Sequence, residues 1–124
     1  MVKQIHVKGF DEFQNVTKSL KSNDVAVCLF TGAEDSAGKN WCPDCVAAKP
    51  FIQEALKSAP ANATFITCEV GDRAYWKNVG NPFRTTPSLN IQSVPTLLRW
   101  GSPKKLDGAQ CENPSLIAML FEEE

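Results

Sequence analysis

The sequence predicts an α/β domain in which a central mixed β-sheet is flanked by helices. Three observations lead there. Apolar segments of strand length alternate along the chain with segments whose apolar residues recur at helical spacing. One of the strand-like segments, Val25-Ala26-Val27-Cys28-Leu29-Phe30, is apolar without a break, as a strand covered on both faces must be. Near the end, Gly101-Ser102-Pro103 separates two short strand-like stretches, which reads as a hairpin at a sheet edge.

The elements follow in order. Gln4 to Val7 alternates weakly and suits a short first strand. Phe10, Phe13, Val16, Thr17 and Leu20 recur at three- and four-residue spacings with charges between them, predicting a helix. Val25 to Phe30 is the second strand and Thr31-Gly32 ends it. Ala33 to Asn40, small, polar and Gly-containing, reads as a loop. A helix is expected from Pro43 to about Ser58, with Val46, Ala47, Phe51, Ala55 and Leu56 on its apolar side and a kink at Pro50.

Ala63 to Val70 is the next strand, Thr64, Ile66 and Cys68 facing away from Phe65, Thr67 and Glu69. Between Gly71 and Ser93, Asn81-Pro82 and Thr86-Pro87 break one or two short helices around Tyr75 and Trp76. Thr96 to Trp100 and Lys104 to Leu106 form the hairpin. Asn113-Pro114 caps and opens a terminal helix carrying Leu116, Ile117, Leu120 and Phe121. With no internal repeat or linker, residues 1–124 are expected to form a single domain of ordinary size.

Composition excludes several classes of function. The chain is 43% hydrophobic, and 14 acidic residues nearly cancel 13 basic ones, so the electrostatic basis for a nucleic-acid or membrane-surface partner is missing. No apolar stretch reaches the roughly 18 residues of a membrane span, and the N-terminal residues carry no secretory signal, so a cytoplasmic protein is expected. The five cysteines, at 28, 42, 45, 68 and 111, are odd in number with one close pair, unlike a secreted disulfide framework.

That pair, in Trp41-Cys42-Pro43-Asp44-Cys45, is the candidate redox centre. The thiolate is the form that attacks a disulfide, so a redox cysteine needs surroundings that stabilise negative sulfur. With Cys42 at the N-cap of the helix, Pro43 falls at N1 and Cys45 at N3. The free amide of Cys45 then points at the Cys42 sulfur, and the helix dipole adds a favourable field. Pro43 suits N1 because its missing N–H would have no helical partner there. On this reading Cys42 is the exposed nucleophile and Cys45 the buried resolving thiol. No metal is expected: zinc usually takes four Cys or His ligands, and one CxxC, a distant His6 and three isolated cysteines do not supply them.

Ser93-Val94-Pro95-Thr96 supplies a second signal. A proline directly before an apolar strand, downstream of a CxxC in an α/β chain, is expected to carry a cis bond and to lie beside Cys42.

Together these features resemble the thioredoxin superfamily: a WCxxC at the start of a helix, Pro50 five residues after the second cysteine, and Val94-Pro95-Thr96 before the hairpin. A branch of small cytosolic thioredoxin-related proteins is closer still. There the likeness extends over Phe30-Thr31-Gly32, Tyr75-Trp76-Lys77, Val94 to Leu98 and Met119-Leu120-Phe121.

The resemblance implies a thioredoxin-like fold and a disulfide reductase. It holds no bound cofactor and cycles a Cys42–Cys45 disulfide with electrons from NADPH through thioredoxin reductase. Pro43 and Asp44 would tune the potential. Trp41, Val94 and Pro95 would meet the substrate, a small disulfide such as cystine or a selected protein disulfide, and peroxide-linked activity is implied as well. Two alternatives are a glutathione-dependent, glutaredoxin-like reductase, which Gly101 and Gly108 fit poorly because they stand alone after Pro95, and a binding module regulating a signalling partner.

The chain departs from ordinary thioredoxins in two places. Leu29 stands where they carry a buried aspartate that assists the resolving cysteine, so another acceptor, Asp44 or water, must take that proton. The loop Ala33 to Asn40 is longer, which implies a narrower substrate range. Of the remaining residues, Cys28 and Cys68 read as buried apolar groups and Cys111, near a helix start, as the more reactive of the isolated thiols. Trp76 and Trp100 read as packing, His6 as lacking a visible partner, and Glu122-Glu123-Glu124 as a solvated tail.

Overall fold

A computed structural model describes residues 1–122. The strands are β1 (Lys3–Lys8), β2 (Ala26–Thr31), β3 (Thr64–Glu69), β4 (Thr96–Arg99) and β5 (Lys105–Asp107). The helices are α1 (Phe10–Lys18), α2 (Pro43–Leu56), α3 (Arg73–Lys77), α4 (Pro82–Thr85) and α5 (Pro114–Leu120), with a 3₁₀ turn at Gly108–Glu112. The sheet order is β1-β3-β2-β4-β5, parallel among the first three and antiparallel from β2 to β4 and β4 to β5, so the expected mixed sheet is present. Its fifth strand is the outer arm of the expected hairpin. The acidic tail lies, beyond the exposed Glu122, outside the described residues.

The continuous apolar run of β2 has its cause in this order. β2 sits between β3 and β4, and helices cover both faces, so every residue from Ala26 to Phe30 is buried. Val27 and Leu29 point to one side, where Phe65, Leu97, Ala48, Ile52 and Ile117 join them. Cys28 and Phe30 point to the other, against Phe13, Ile66, Cys68 and Phe83. There Phe30 packs on Phe13 and Phe83, with ring centres 5.1 Å and 5.9 Å away, and Trp100 meets Phe13 at 5.7 Å.

Proline opens three of the helices. Pro43, Pro82 and Pro114 each follow a side-chain cap, Cys42, Asn81 and Asn113 respectively. The oxygen of Asn81 accepts from the amides of Phe83 and Arg84, and that of Asn113 from Ser115 and Leu116. Asn81-Pro82 therefore starts α4 as well as ending the segment before it. Among the described residues no helix is long and apolar enough to cross a membrane.

The expected apolar face of α2 needs correction. Val46 and Phe51 are 52% and 39% exposed and Ala47 is exposed too, while Cys45, Ala48, Ile52, Ala55 and Leu56 form the buried stripe. Ala55 and Leu56 were placed correctly. The cap at Cys42 sets the rotation of the helix: with Cys45 turned inward, residues 48, 52 and 55 follow it at helical spacing. The helix also runs through Pro50 for all 14 residues, with Pro50 on its exposed side. Ile52→Ala should accordingly destabilise the protein by about 2–5 kcal/mol, whereas Phe51→Ala should cost less than about 1 kcal/mol, measured by urea unfolding.

Candidate active site

The site lies where β2 ends and α2 begins. Cys42 is the N-cap of α2 with φ −98° and ψ 106°, and its sulfur accepts the Cys45 amide at 3.2 Å. Asn40 holds the approach to the cap. Its side-chain oxygen accepts the Cys42 amide at 2.9 Å, while its nitrogen donates to the Gly32 carbonyl at 3.0 Å and the Thr31 hydroxyl at 3.2 Å. Gly32 is required there, since a Cβ would stand 2.5 Å from the Asn40 oxygen and 2.8 Å from the Trp41 ring.

The Val94–Pro95 bond is cis, and the Val94 carbonyl lies 3.6 Å from the Cys42 sulfur, in position to accept from its thiol. The second sequence signal and the first thus meet in one place. The Pro95 carbonyl is engaged on the far side by the Gly108 amide at 3.3 Å.

Trp41 is half-buried beside them. Its indole nitrogen donates to the Gly71 carbonyl at 2.9 Å, Arg73 donates to its backbone carbonyl at 3.0 Å, and the Arg73 guanidinium lies 5.3 Å from its ring centre. Pro43 and Asp44 are both exposed in the first turn of α2.

Cys42 does not have the exposure expected of it. At 4% it is as buried as Cys45 at 5%, because the Asn40 side chain and the Val94 backbone close on the cap. The two thiols differ in surroundings instead. Burial above all, and next the hydrogen bond to the Cys42 sulfur, push the Cys45 thiol up to about 12, against the lowering effect of the Thr31 hydroxyl and the Gly32 backbone.

The isolated cysteines are closed off. Cys28, Cys68 and Cys111 are each 0% exposed, and burial is the main force raising all three thiols, Cys28 and Cys111 to about 12. That is the expected state of Cys28 and Cys68. Cys111 was read as the more reactive thiol, yet it points inward from its 3₁₀ turn and its sulfur lies 3.7 Å from the Pro95 and Leu106 carbonyls.

Sequence reasoning missed His6 and Glu69. His6 does have a partner: its Nε2 lies 2.5 Å from a carboxylate oxygen of Glu69, which is buried to 6% exposure. The other oxygen of Glu69 accepts the Glu34 amide at 3.2 Å. The pair joins neighbouring strands, so no local spacing announces it. Asn40 was legible in principle, because an Asn oxygen bonding the amide two residues on is a known local preference.

The loop Ala33 to Asn40 is shaped rather than loose. Asp35 accepts the amides of Ala37 and Lys39, Gly38 turns it at φ 79°, and Glu34 bridges to Asn40. Together with α2 and β3 it walls a cavity of about 500 Å³ that reaches Cys45, Thr31 and Glu69.

Residues 6–123 match the family described as thioredoxin domain-containing protein 17-like, thioredoxin domain. The chain belongs to that family. It is 43% identical to thioredoxin domain-containing protein 17 of Mus musculus and 40% identical to that of Homo sapiens, in each case over 98% of this chain and 96% of the relative. Among solved structures, it is similar to thioredoxin O1 of Arabidopsis thaliana in the oxidized state, with 27% identity and a TM-score of 0.61 over 97% of this chain and 99% of that one. Membership of the thioredoxin domain-containing protein 17-like family thus accords with the thioredoxin-like fold and with a dithiol at the head of α2.

The raised thiols carry a consequence for stability. A thiol whose value rises on folding favours the native state fully below its unfolded value and loses that contribution as pH climbs through the folded one. Native stability should therefore fall between about pH 9 and about pH 12 as unfolded thiols ionise ahead of Cys28, Cys45 and Cys111. Cys28→Ala should make that fall shallower, measured by denaturant unfolding across the range.

Proposed function

We propose that the chain is a thiol–disulfide oxidoreductase that reduces small disulfides such as cystine and selected protein disulfides. The observation that carries this reading is the convergence on the Cys42 sulfur of the Cys45 amide, the α2 N-terminus and the Val94 carbonyl before cis-Pro95. The amide donates to that sulfur and the α2 N-terminus faces it. The half-buried Val94 offers its backbone carbonyl beside that sulfur, and Trp41 gives the substrate an apolar surface to lie against.

In this reading Cys42 attacks the substrate disulfide, forming a mixed disulfide and releasing one thiolate. Cys45 then attacks the Cys42 sulfur, which forms the Cys42–Cys45 disulfide and releases the second thiolate. Thioredoxin reductase returns the pair to the dithiol with two electrons from NADPH, and Pro43 and Asp44 set the potential. The same dithiol serves peroxide-linked reduction, in the cytoplasm, with no other bound cofactor.

The burial of Cys42 and the shaped loop beside it support a narrow substrate range. A thiol with 4% exposure is reached by a slender disulfide or an extended segment more easily than by a folded surface.

NADPH consumption with purified thioredoxin reductase and cystine, insulin or glutathione disulfide tests the reading. Turnover without glutathione supports it and excludes the glutaredoxin-like alternative, whereas no turnover of any disulfide favours a binding module. Cys42→Ser should abolish reduction. Cys45→Ser should attack once and accumulate a mixed disulfide at Cys42, detected by mass spectrometry; adducts on Cys42→Ser instead would reverse the two roles.

A further inference from the structure

Resolution of the mixed disulfide poses a problem of proton transfer. Cys45 must reach the Cys42 sulfur as a thiolate, yet its thiol is buried, and Leu29 of β2, on the wall of the same cavity, is apolar. Asp44 is exposed on the outer turn of α2, outside the cavity that reaches Cys45.

That cavity holds a buried carboxylate. Thr31 and Glu69 are register partners on adjacent parallel strands, on the face of the sheet that packs against α2. Strands lie about 4.8 Å apart, and both side chains line the cavity that Cys45 reaches. Glu69 is fixed by the Glu34 amide on one oxygen and by His6 on the other, and the His6 side chain is 52% exposed. Cys45, Thr31, Glu69 and the half-exposed imidazole of His6 thus line one cavity. The Cys42 sulfur is not part of the cavity wall.

We propose that Glu69, held by His6 and the Glu34 amide, accepts the proton that Cys45 loses when it resolves the mixed disulfide. The proposal rests on the oxidoreductase reading above. The Cys45 proton passes by way of the Thr31 hydroxyl to the Glu69 carboxylate. The Cys45 sulfur then bonds to the Cys42 sulfur, the bond from Cys42 to the substrate sulfur breaks, and the substrate thiolate leaves with the electron pair. The dithiol has been oxidised by two electrons and the substrate disulfide reduced by two. Glu69 passes its proton to solvent along His6, and the substrate thiolate takes one from solvent. Besides His6 on β1 and Cys45, the charged groups around Glu69 are Glu34 and Lys39 on the loop, Lys49 on α2, and Lys8, its register partner on β1.

Stopped-flow reaction of the reduced protein with dithiobis(nitrobenzoate) separates the two steps, since attack by Cys42 releases one coloured thiolate and resolution by Cys45 releases the second. In Glu69→Gln the first release should keep its wild-type rate while the second slows about 100-fold near neutral pH, the scale of general-base assistance. With hydroxide as the remaining base, the slow release should accelerate about tenfold per pH unit, whereas in the wild type it stays flatter. Glu69→Asp should recover part of the rate, and Thr31→Val, which keeps the carboxylate but removes the hydroxyl bridge, should also slow the second release alone.

A second release in Glu69→Gln with the wild-type rate and pH profile would overturn the proposal. Equal slowing of both releases would do so too, because it marks a structural role. Absence of the first release in the wild type would instead defeat the oxidoreductase reading itself.

Discussion

The amide of Cys45 pointing at the sulfur of Cys42 is the contact on which the rest of the site depends. A helix leaves its first amides without partners, and here one of those amides finds a sulfur instead of an oxygen. That single cap starts α2, turns Cys45 inward and gives the Cys42 sulfur a hydrogen-bond donor. The rotation of α2 follows from it, so Ala48, Ile52 and Ala55 meet the sheet while Val46 and Phe51 remain outside. Stability and reactivity therefore share one local geometry.

A cap of this kind works only if the chain arrives at the right angle, and most of the surrounding structure serves that end. β2 is anchored on both faces by apolar packing and stops at Thr31 and Gly32. The Asn40 side chain ties the far end of the loop back to those two residues, and the Gly71 carbonyl holds both the Ala33 amide and the Trp41 indole. On the opposite side, the cis bond at Pro95 brings the Val94 carbonyl to the sulfur, and the Gly108 amide engages Pro95 from behind. Three segments distant in sequence thus enclose one sulfur, which is why Cys42 is buried although it begins a surface helix.

The family relationship extends over nearly the whole chain and agrees with this architecture. On the α2 side of the sheet β2 carries the apolar Leu29, and the neighbouring strand carries a carboxylate, Glu69, paired with His6 and in register with Thr31. Burying a carboxylate is costly unless its oxygens are bonded, and both oxygens of Glu69 are. The loop from Ala33 to Asn40, together with α2 and β3, walls the cavity in front of it.

Much of this was legible in the order of residues. The alternation of strand and helix, the buried central strand, the edge hairpin, and the capped starts of α2 and α5 all depend on local periodicity and on the chemistry of Pro, Asn and Gly, which neighbouring residues express by themselves. The dithiol and Val94-Pro95 were legible too, because their spacing carries the geometry of a helix turn and of a strand entry. The burial of Cys42, the buried face of α2, the closure of Cys111 and the His6–Glu69 pair were not. The face of α2 follows from the cap at Cys42, and each of the others depends on segments that the fold brings side by side, as His6 lies 63 residues from Glu69 along the chain. Local sequence determined the elements and the spacing of Cys42 and Cys45, whereas the tertiary structure decided exposure and partners, because those are properties of neighbours supplied by distant segments.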